Sequence, residues 1–258
     1  MSRLRVALAK GRLFEPSVAR FRAAGIEPAE DAGRRLLIPS SDPGIEFLVV
    51  KPADVPVYVE SGAADLGITG TDVLRETGAD VLEPLELGFG YCRLVVASPT
   101  QGLYPQLEGG ITPRVATKYP RLAQAHFAAA GRPVDIIQVN GSVEVAPLLR
   151  LSHWIVDLVD TGNTLRANGL VERETILECG AVLVANRASQ KLKLEAYLGM
   201  TATASAEPAP PPARSPSACS RHPRSPAPRC RTPSRDRERS AETAARASRS
   251  PPARTRPP

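Results

Sequence analysis

The chain reads as an α/β protein of two lobes, and two observations carry that reading. Short β-branched apolar runs alternate with amphipathic stretches along residues 1–200. Several of these runs lead into a small polar loop containing Gly and then a helix signal: Lys10-Gly11-Arg12, Thr69-Gly70-Thr71-Asp72, Asn140-Gly141-Ser142, and Asp157 to Thr164. In open α/β sheets ligands bind beyond the carboxyl ends of strands. A cleft between two lobes is the economical way to bring such loops together.

Taken in order, Leu4–Leu8 is a strand and Pro16–Ala24 a helix closed by Gly25. Arg35–Ile38 and Glu46–Val50 are strands, and Pro52 opens a helix that runs through Glu60, with Gly62 near its end. Leu66–Ile68 is a short strand, Asp72–Glu76 starts a helix, and Tyr91–Ala97 is a strand of alternating burial. A second unit follows: strand Arg114–Ala116, helix Pro120–Ala130 closed by Gly131, strand Asp135–Val139, and a helix Val143–Leu149 capped by Ser142. Ile155–Val159 is the strand that feeds the acidic loop, and Leu165–Asn168 is a helix after it. Val182–Asn186 and the helix Ala188–Tyr197 complete the body. The expected organisation is one lobe of residues 1–92, to which 180–200 return, and a second lobe of 93–179.

Residues 201–258 differ in kind. They hold 13 of the 26 Pro and no Leu, Ile, Val, Met, Phe, Tyr or Trp. Such a segment cannot bury enough apolar surface to offset chain entropy, so a disordered low-complexity tail is expected. It is either a selected Arg/Ser/Pro-rich arm or the translation of an out-of-frame GC-rich message. It carries 12 Arg, no Lys and 4 acidic residues, so its charge is +8 against a whole-chain +6, and residues 1–200 stand at −2. The basic pI belongs to the tail, and no specific nucleic-acid binding is expected of the body.

Cys92, Cys179, Cys219 and Cys230 show no zinc-type spacing, and Cys92 and Cys179 fall in strand-like runs as buried thiols. No metal site built by the protein is expected. No apolar run approaches membrane-spanning length and no export signal precedes Leu4, so a cytoplasmic protein without membrane contact is expected.

The chemistry concentrates at Ile155-Val156-Asp157-Leu158-Val159-Asp160-Thr161-Gly162-Asn163-Thr164. An apolar strand ends in two carboxylates three residues apart, followed by a small polar loop at a helix start. Asp157 and Asp160 suit vicinal ribose hydroxyls, and Thr161, Gly162, Asn163 and Thr164 suit a 5′-phosphate held by backbone N–H groups. Gly162 permits close approach or positive φ. This stretch resembles the phosphoribosyl-pyrophosphate (PRPP) loop of phosphoribosyltransferases. The cations beside the other loops, Lys10, Arg12, Arg34 and Lys51, suit pyrophosphate and triphosphate groups. Lys118 and Glu144 are further candidates, each equally explained as surface. Thr69 and Gly70 read as lying against a nucleotide, or Thr71 and Asp72 as a helix cap. His126 and His153 read as structural.

An ordered set of motifs extends the resemblance. It comprises Ala9-Lys10-Gly11-Arg12-Leu13, Lys51-Pro52-Ala53-Asp54-Val55-Pro56, Gly62 to Gly70, Ala116-Thr117-Lys118-Tyr119-Pro120, Asn140 to Glu144, the acidic loop, and Asn186-Arg187-Ala188-Ser189. With these the chain resembles the ATP phosphoribosyltransferase family over roughly residues 4–198. The resemblance implies two lobes like a type II periplasmic-binding protein. It implies condensation of ATP with PRPP, giving N1-(5-phosphoribosyl)-ATP and pyrophosphate, as the first step of histidine biosynthesis. It also implies Mg²⁺ carried by substrate phosphates, with Gly11 of the first loop among the ATP-binding residues. The extent matches the family's short form, which implies a partner resembling histidyl-tRNA synthetase in a hetero-oligomer. The chain departs from the family at His153 and Trp154, where a packing role is expected, and in its shortened last helix.

Overall fold

A computed structural model describes residues 3–29, 35–105, 110–192 and 199. The expected tail, Arg34 and the end of the last helix lie outside the described residues.

Two sheets organise the body. The first is six-stranded in the order β2-β3-β1-β4-β11-β5. Its strands are β1 (Leu4–Ala9), β2 (Leu37–Pro39), β3 (Ile45–Val50), β4 (Leu66–Gly70), β5 (Leu82–Glu86) and β11 (Ala181–Ala185). The β3-β1-β4 centre is parallel, while β2, β11 and β5 run antiparallel to their neighbours. Sequence explains the centre. β1 and β4 are buried at almost every position, as a strand covered on both faces must be. Three helices pack on this sheet: α1 (Phe14–Ala23), α2 (Val55–Glu60) and α3 (Thr71–Thr77). Phe21 of α1 meets Phe47 of β3 with ring centroids 5.0 Å apart. α2, entered through a 3-10 turn at Pro52–Asp54, lies close to β4 because Gly67 has no side chain. A Cβ there would stand 2.7 Å from Val55 and 2.8 Å from Val59.

The second sheet runs β10-β6-β9-β7-β8. It comprises β6 (Cys92–Pro99), β7 (Arg114–Thr117), β8 (Asp135–Gln138), β9 (Trp154–Val159) and β10 (Leu170–Cys179), with α4 (Pro120–Ala129) and α5 (Asn163–Ala167). β7, β8 and β9 are parallel, whereas β6 and β10 are antiparallel. Trp154 is almost fully buried, donates Nε1–H to Leu103 O at 2.9 Å, and packs on Tyr104 and Phe127. His153 Nδ1 accepts from the Arg114 N–H at 2.9 Å. Both positions therefore act in packing.

The chain passes from the first sheet to the second between β5 and β6 and returns between β10 and β11. The two passages are paired to each other: the Leu87 N–H donates to Ala181 O and the Ala181 N–H to Phe89 O, both at 2.9 Å. A final helix, α6, begins at Arg187 and is described through Leu192.

Two differences from the sequence reading stand out. The helix expected over Val143–Leu149 is a 3-10 turn, Val143–Val145, followed by turns. Pro147 brings no N–H and restricts the residue before it. Ser142, expected to cap that helix, has φ +49° and makes no side-chain cap bond. The second difference is β5 and β10, two strands the apolar pattern did not reveal.

Candidate active site

The acidic loop sits between β9 and α5. Asp157 is inside β9, and Thr161 and Gly162 lead into α5, whose first residue is Asn163. A small cavity of about 90 Å³ is lined by Glu144, Asp157, Asp160 and the run Thr161 to Thr164. The structure thus brings all six loop candidates to one concavity. Gly162 has φ +73°, the left-handed conformation that glycine adopts without penalty. A Cβ at this position would lie 3.0 Å from Arg166 and 3.2 Å from Glu172. The N–H groups of α5's first turn have no intrahelical partner by construction, and Asn163, Thr164 and Leu165 line this cavity.

Asp157 is half-buried. Its Oδ1 accepts the Leu158 N–H at 2.8 Å. Burial pushes its carboxyl up to about 6 from the ordinary 3.8; the Leu158 N–H opposes this, the Glu144 charge adds to it, and Lys118 opposes it. Asp160 is exposed at the strand end.

Arg166 is a residue that sequence reasoning missed. Its Nη2 donates to Thr161 O at 3.0 Å and to Asn163 Oδ1 at 2.6 Å, so it folds back and fixes the loop. The signal was available: an Arg four residues after Gly162 lies one helical turn on, over the loop it follows. Glu172, from the unexpected β10, pairs with Arg93 at 3.0 Å beside that loop.

A second cavity, of about 130 Å³, lies between the sheets. Lys10, Arg12, Pro52, Gly70 and Asp72 come from the first, and Lys118, Tyr119 and Leu158 from the second. Leu158 lines both cavities, so the cationic cleft and the acidic loop adjoin. Lys10 and Lys118 are exposed at the rim. Gly11 forms the turn between Lys10 and α1 with φ +93°. Arg12 is held in place: its Nη2 donates to Cys92 Sγ at 3.1 Å, and its Nη1 reaches Tyr91 O at 3.5 Å. Lys51 is exposed and immediately precedes Pro52 at the cavity wall.

Thr69 and Gly70 occupy different situations. Thr69 is fully buried within β4, and its hydroxyl has no hydrogen-bond partner among the described residues. It is not presented to the cleft. Gly70 lines the cleft and is bare for a reason: a Cβ would come within 2.1 Å of Asp72 Oδ1. Asp72 is buried and accepts Tyr119 Oη–H at 2.9 Å, linking the two sheets. Burial, followed by the Asp72 carboxylate, raises Tyr119 well above the ordinary tyrosine range. Neither Thr71 nor Asp72 caps α3. Thr71 Oγ1 instead accepts the Gly180 N–H at 3.1 Å. Glu76 of α3 accepts the Arg121 and Leu122 N–H groups at 2.9 and 3.0 Å, capping α4 from across the cleft. His126 pairs with Glu174 at 2.7 Å, away from both cavities, as a structural residue.

Comparison with known proteins gives this geometry a family. A family model described as ATP phosphoribosyltransferase matches residues 51–204. The chain belongs to the ATP phosphoribosyltransferase family. It is 52% identical over 195 residues to the ATP phosphoribosyltransferase of Halorhodospira halophila, covering 74% of this chain and 89% of that protein. Among solved structures it resembles the ATP phosphoribosyl transferase (HisG:HisZ) complex from Thermotoga maritima. The TM-score is 0.69 and the identity 33%, over 78% of this chain and 96% of that one. At 13% identity the structure of Tv2483 bound to L-arginine shares the fold, with a TM-score of 0.51 over 77% of this chain and 84% of that one. The two-lobed α/β class expected from the sequence is therefore the observed one, and the family's catalytic role is that of a phosphoribosyltransferase enzyme in histidine biosynthesis. Among the described residues no helix is long and apolar enough to cross a membrane.

Proposed function

We propose that the β9–α5 loop holds PRPP and that the adjoining cleft holds ATP. On this reading residues 1–92 with 180–200 form the ATP-facing lobe, and 93–179 form the PRPP-facing one. The observation that carries it is the meeting, at Leu158, of an acidic concavity and a cationic cleft. Asp157 and Asp160 accept from the ribose hydroxyls, and Thr161 to Thr164 take the 5′-phosphate. Lys10, Arg12 and Lys118 neutralise the pyrophosphate and triphosphate, with Gly11, Lys51 and Gly70 shaping the wall. Arg34 keeps its sequence-based assignment to the same polyanions.

The reaction forms a bond from adenine N1 to ribose C1 while the C1–O bond to pyrophosphate breaks. Positive charge develops on the ribose and negative charge on the leaving group. The carboxylates of the loop and the cations of the cleft stand on the two sides where those charges appear, which is the preorganised arrangement electrostatic catalysis needs. Asp157 in its ionised form is stabilised once the ribose hydroxyls and the developing cation face it. Among the described residues no cluster of three or more His, Cys, Asp or Glu is set to hold a metal by itself. The available donors, Asp157 and Asp160 beside a phosphate site, suit a Mg²⁺ carried largely by substrate oxygens. Bound there, Mg²⁺ would neutralise phosphate charge.

The Thermotoga maritima neighbour is a HisG:HisZ complex. We infer a comparable hetero-oligomer here, in which a synthetase-like subunit regulates a cytoplasmic catalytic chain. The test is pyrophosphate release from PRPP with ATP against free purines, with and without such a partner. Release with ATP alone is expected. Asp157→Ala is expected to lower kcat/KM about ten- to a hundredfold, the worth of one hydrogen bond to a charged group. Wild-type kinetics in a folded Asp157→Ala protein would remove the ribose assignment, and binding without pyrophosphate release would make the chain a binding protein.

A further inference from the structure

Cys92 and Cys179 sit where the chain crosses between sheets. Cys92 is the first residue of β6 and Cys179 the last of β10, and they are direct partners in the antiparallel register. Directly opposed residues in such a ladder have Cα atoms about 4.5–5.5 Å apart and side chains on one face. That spacing falls within the range of about 4.4–6.8 Å that disulfides span. Both cysteines are free and buried.

The two thiols differ in character. The facing Cys179 thiol and the Arg12 guanidinium lower Cys92 against burial, while the Cys179 Sγ lies 3.6 Å from Leu177 O. The bond to Cys92 and then burial raise Cys179, and the nearby Asp72 carboxylate adds to both effects. The Arg12 guanidinium at 3.1 Å favours Cys92 as the thiolate nucleophile, with Cys179 facing it across the ladder, as in dithiol redox centres. Access exists from the Cys179 side. Arg12, hydrogen-bonded to Cys92, lines the cleft, and Cys179 lines a separate cavity of about 280 Å³ beside Thr71, Tyr91 and Gly180.

We propose that Cys92 and Cys179 are a site of reversible oxidation by small peroxides, and that forming their disulfide releases Arg12 from Cys92. The Cys92 thiolate attacks one peroxide oxygen, the O–O bond breaks, and hydroxide leaves. The Cys179 sulfur then attacks the resulting sulfenic sulfur, the S–O bond breaks, and hydroxide leaves with the Cys179 proton as water. Two electrons pass from the thiol pair to the peroxide, and a dithiol reductant reverses the change. The disulfide sulfur no longer holds negative charge against the guanidinium, so Arg12 loses its charged partner and keeps only the long contact to Tyr91 O. The consequence for substrate rests on the assignment of Arg12 to the phosphates; the oxidation site itself does not.

The test uses the full chain treated with hydrogen peroxide, digested without reduction and analysed by mass spectrometry. A peptide linking Cys92 to Cys179, reversed by dithiothreitol, is expected. In Cys179→Ser the linked peptide is expected to vanish and dimedone to trap a sulfenic acid on Cys92. Modification confined to Cys219 and Cys230, or over-oxidation of Cys92 in the wild type without a link, would overturn the site. In the same samples oxidation is expected to raise KM for ATP or PRPP about three- to tenfold with little change in kcat, as for loss of one hydrogen bond's worth of positioning. Reductant restores it. A linked peptide with unchanged KM would overturn the release of Arg12. A reduced protein inactive towards ATP and PRPP would instead count against the substrate assignment, and the peptide analysis would still decide the site.

Discussion

Replacing Asp157 by Asn separates what the site costs the fold from what it gives the reaction. Burial holds the Asp157 carboxyl at about 6 against an ordinary 3.8. The folded protein therefore binds this proton more tightly than the unfolded chain does. The group's favourable contribution is complete below about pH 4 and is lost as pH rises through about 6. At about 1.4 kcal/mol for each tenfold change in proton affinity, the ionised carboxylate costs the unliganded fold at most about 3 kcal/mol at neutral pH. Asp157 is only partly buried, so a net cost of about 1–2 kcal/mol is the expected magnitude. Asn keeps the Oδ1 that accepts the Leu158 N–H and carries no charge. Asp157→Asn should then match the wild type near pH 3.5 and exceed it in Tm by about 3–6 °C near pH 8. Thermal melting of both proteins across that range measures this. Adding PRPP should reverse the order at pH 8, because only the wild type gains its ribose contacts. A Tm difference that does not change with pH, or an Asn protein less stable near pH 8, would refute the burial argument.

Other perturbations test neighbouring features. Arg166→Ala should leave Tm within about 2 °C, since the side chain is exposed, but raise KM for PRPP roughly 5–30-fold by freeing Thr161 and Asn163. Gly67→Ala should cost about 1–3 kcal/mol, read as a lower denaturant midpoint, because its methyl enters the space of Val55 and Val59. Glu174, held down to about 2 chiefly by Arg132, stabilises the fold above about pH 4.5 and loses that contribution as pH falls towards 2. Glu174→Gln should therefore destabilise at neutral pH by about 1–3 kcal/mol and converge with the wild type in acid, as acid titration of folding would show. Deleting residues 201–258 should shift Tm by no more than about 2 °C, because that segment has no large apolar side chain to contribute to a core.

The sequence carried the first sheet and the acidic loop well because their signals are local. β1, β3 and β9 are runs of apolar residues ended by a polar loop, and the ligand-facing groups at Asp157 to Thr164 are contiguous in the chain. β10 was invisible for the opposite reason. Its Leu170-Val171-Glu172-Arg173-Glu174 run alternates too little, because it is an edge strand broken by two bulges against β6. Its carboxylates serve partners far off in sequence: Glu172 meets Arg93, and Glu174 meets Arg132, His126 and Tyr104. Thr69 misled in another way. It sits one residue before a cleft-lining Gly, but strand alternation sets its side chain on the opposite face from its neighbours, and there it is fully buried.

The same contrast governs how the cleft is held. Polar ties between the two sheets include Tyr119 to Asp72, Glu76 to the first N–H groups of α4, and Arg12 to Cys92. Each joins residues at least 45 positions apart, and two of them join a carboxylate to a donor on the opposite wall. Charge-assisted bonds of this kind are worth more than neutral ones and depend closely on direction. They therefore fix the walls in one register while leaving the rim cations Lys10 and Lys118 exposed and unneutralised by those bonds. Asp72 is the pivot: Gly70 must lack a side chain to admit its carboxylate, and that carboxylate both receives Tyr119 and lies in the electrostatic reach of Arg12. A cleft for two polyanions needs cations that are positioned without being consumed by internal pairing. Spending Asp72 on a tyrosine hydroxyl, and Glu76 on backbone N–H groups, meets that need.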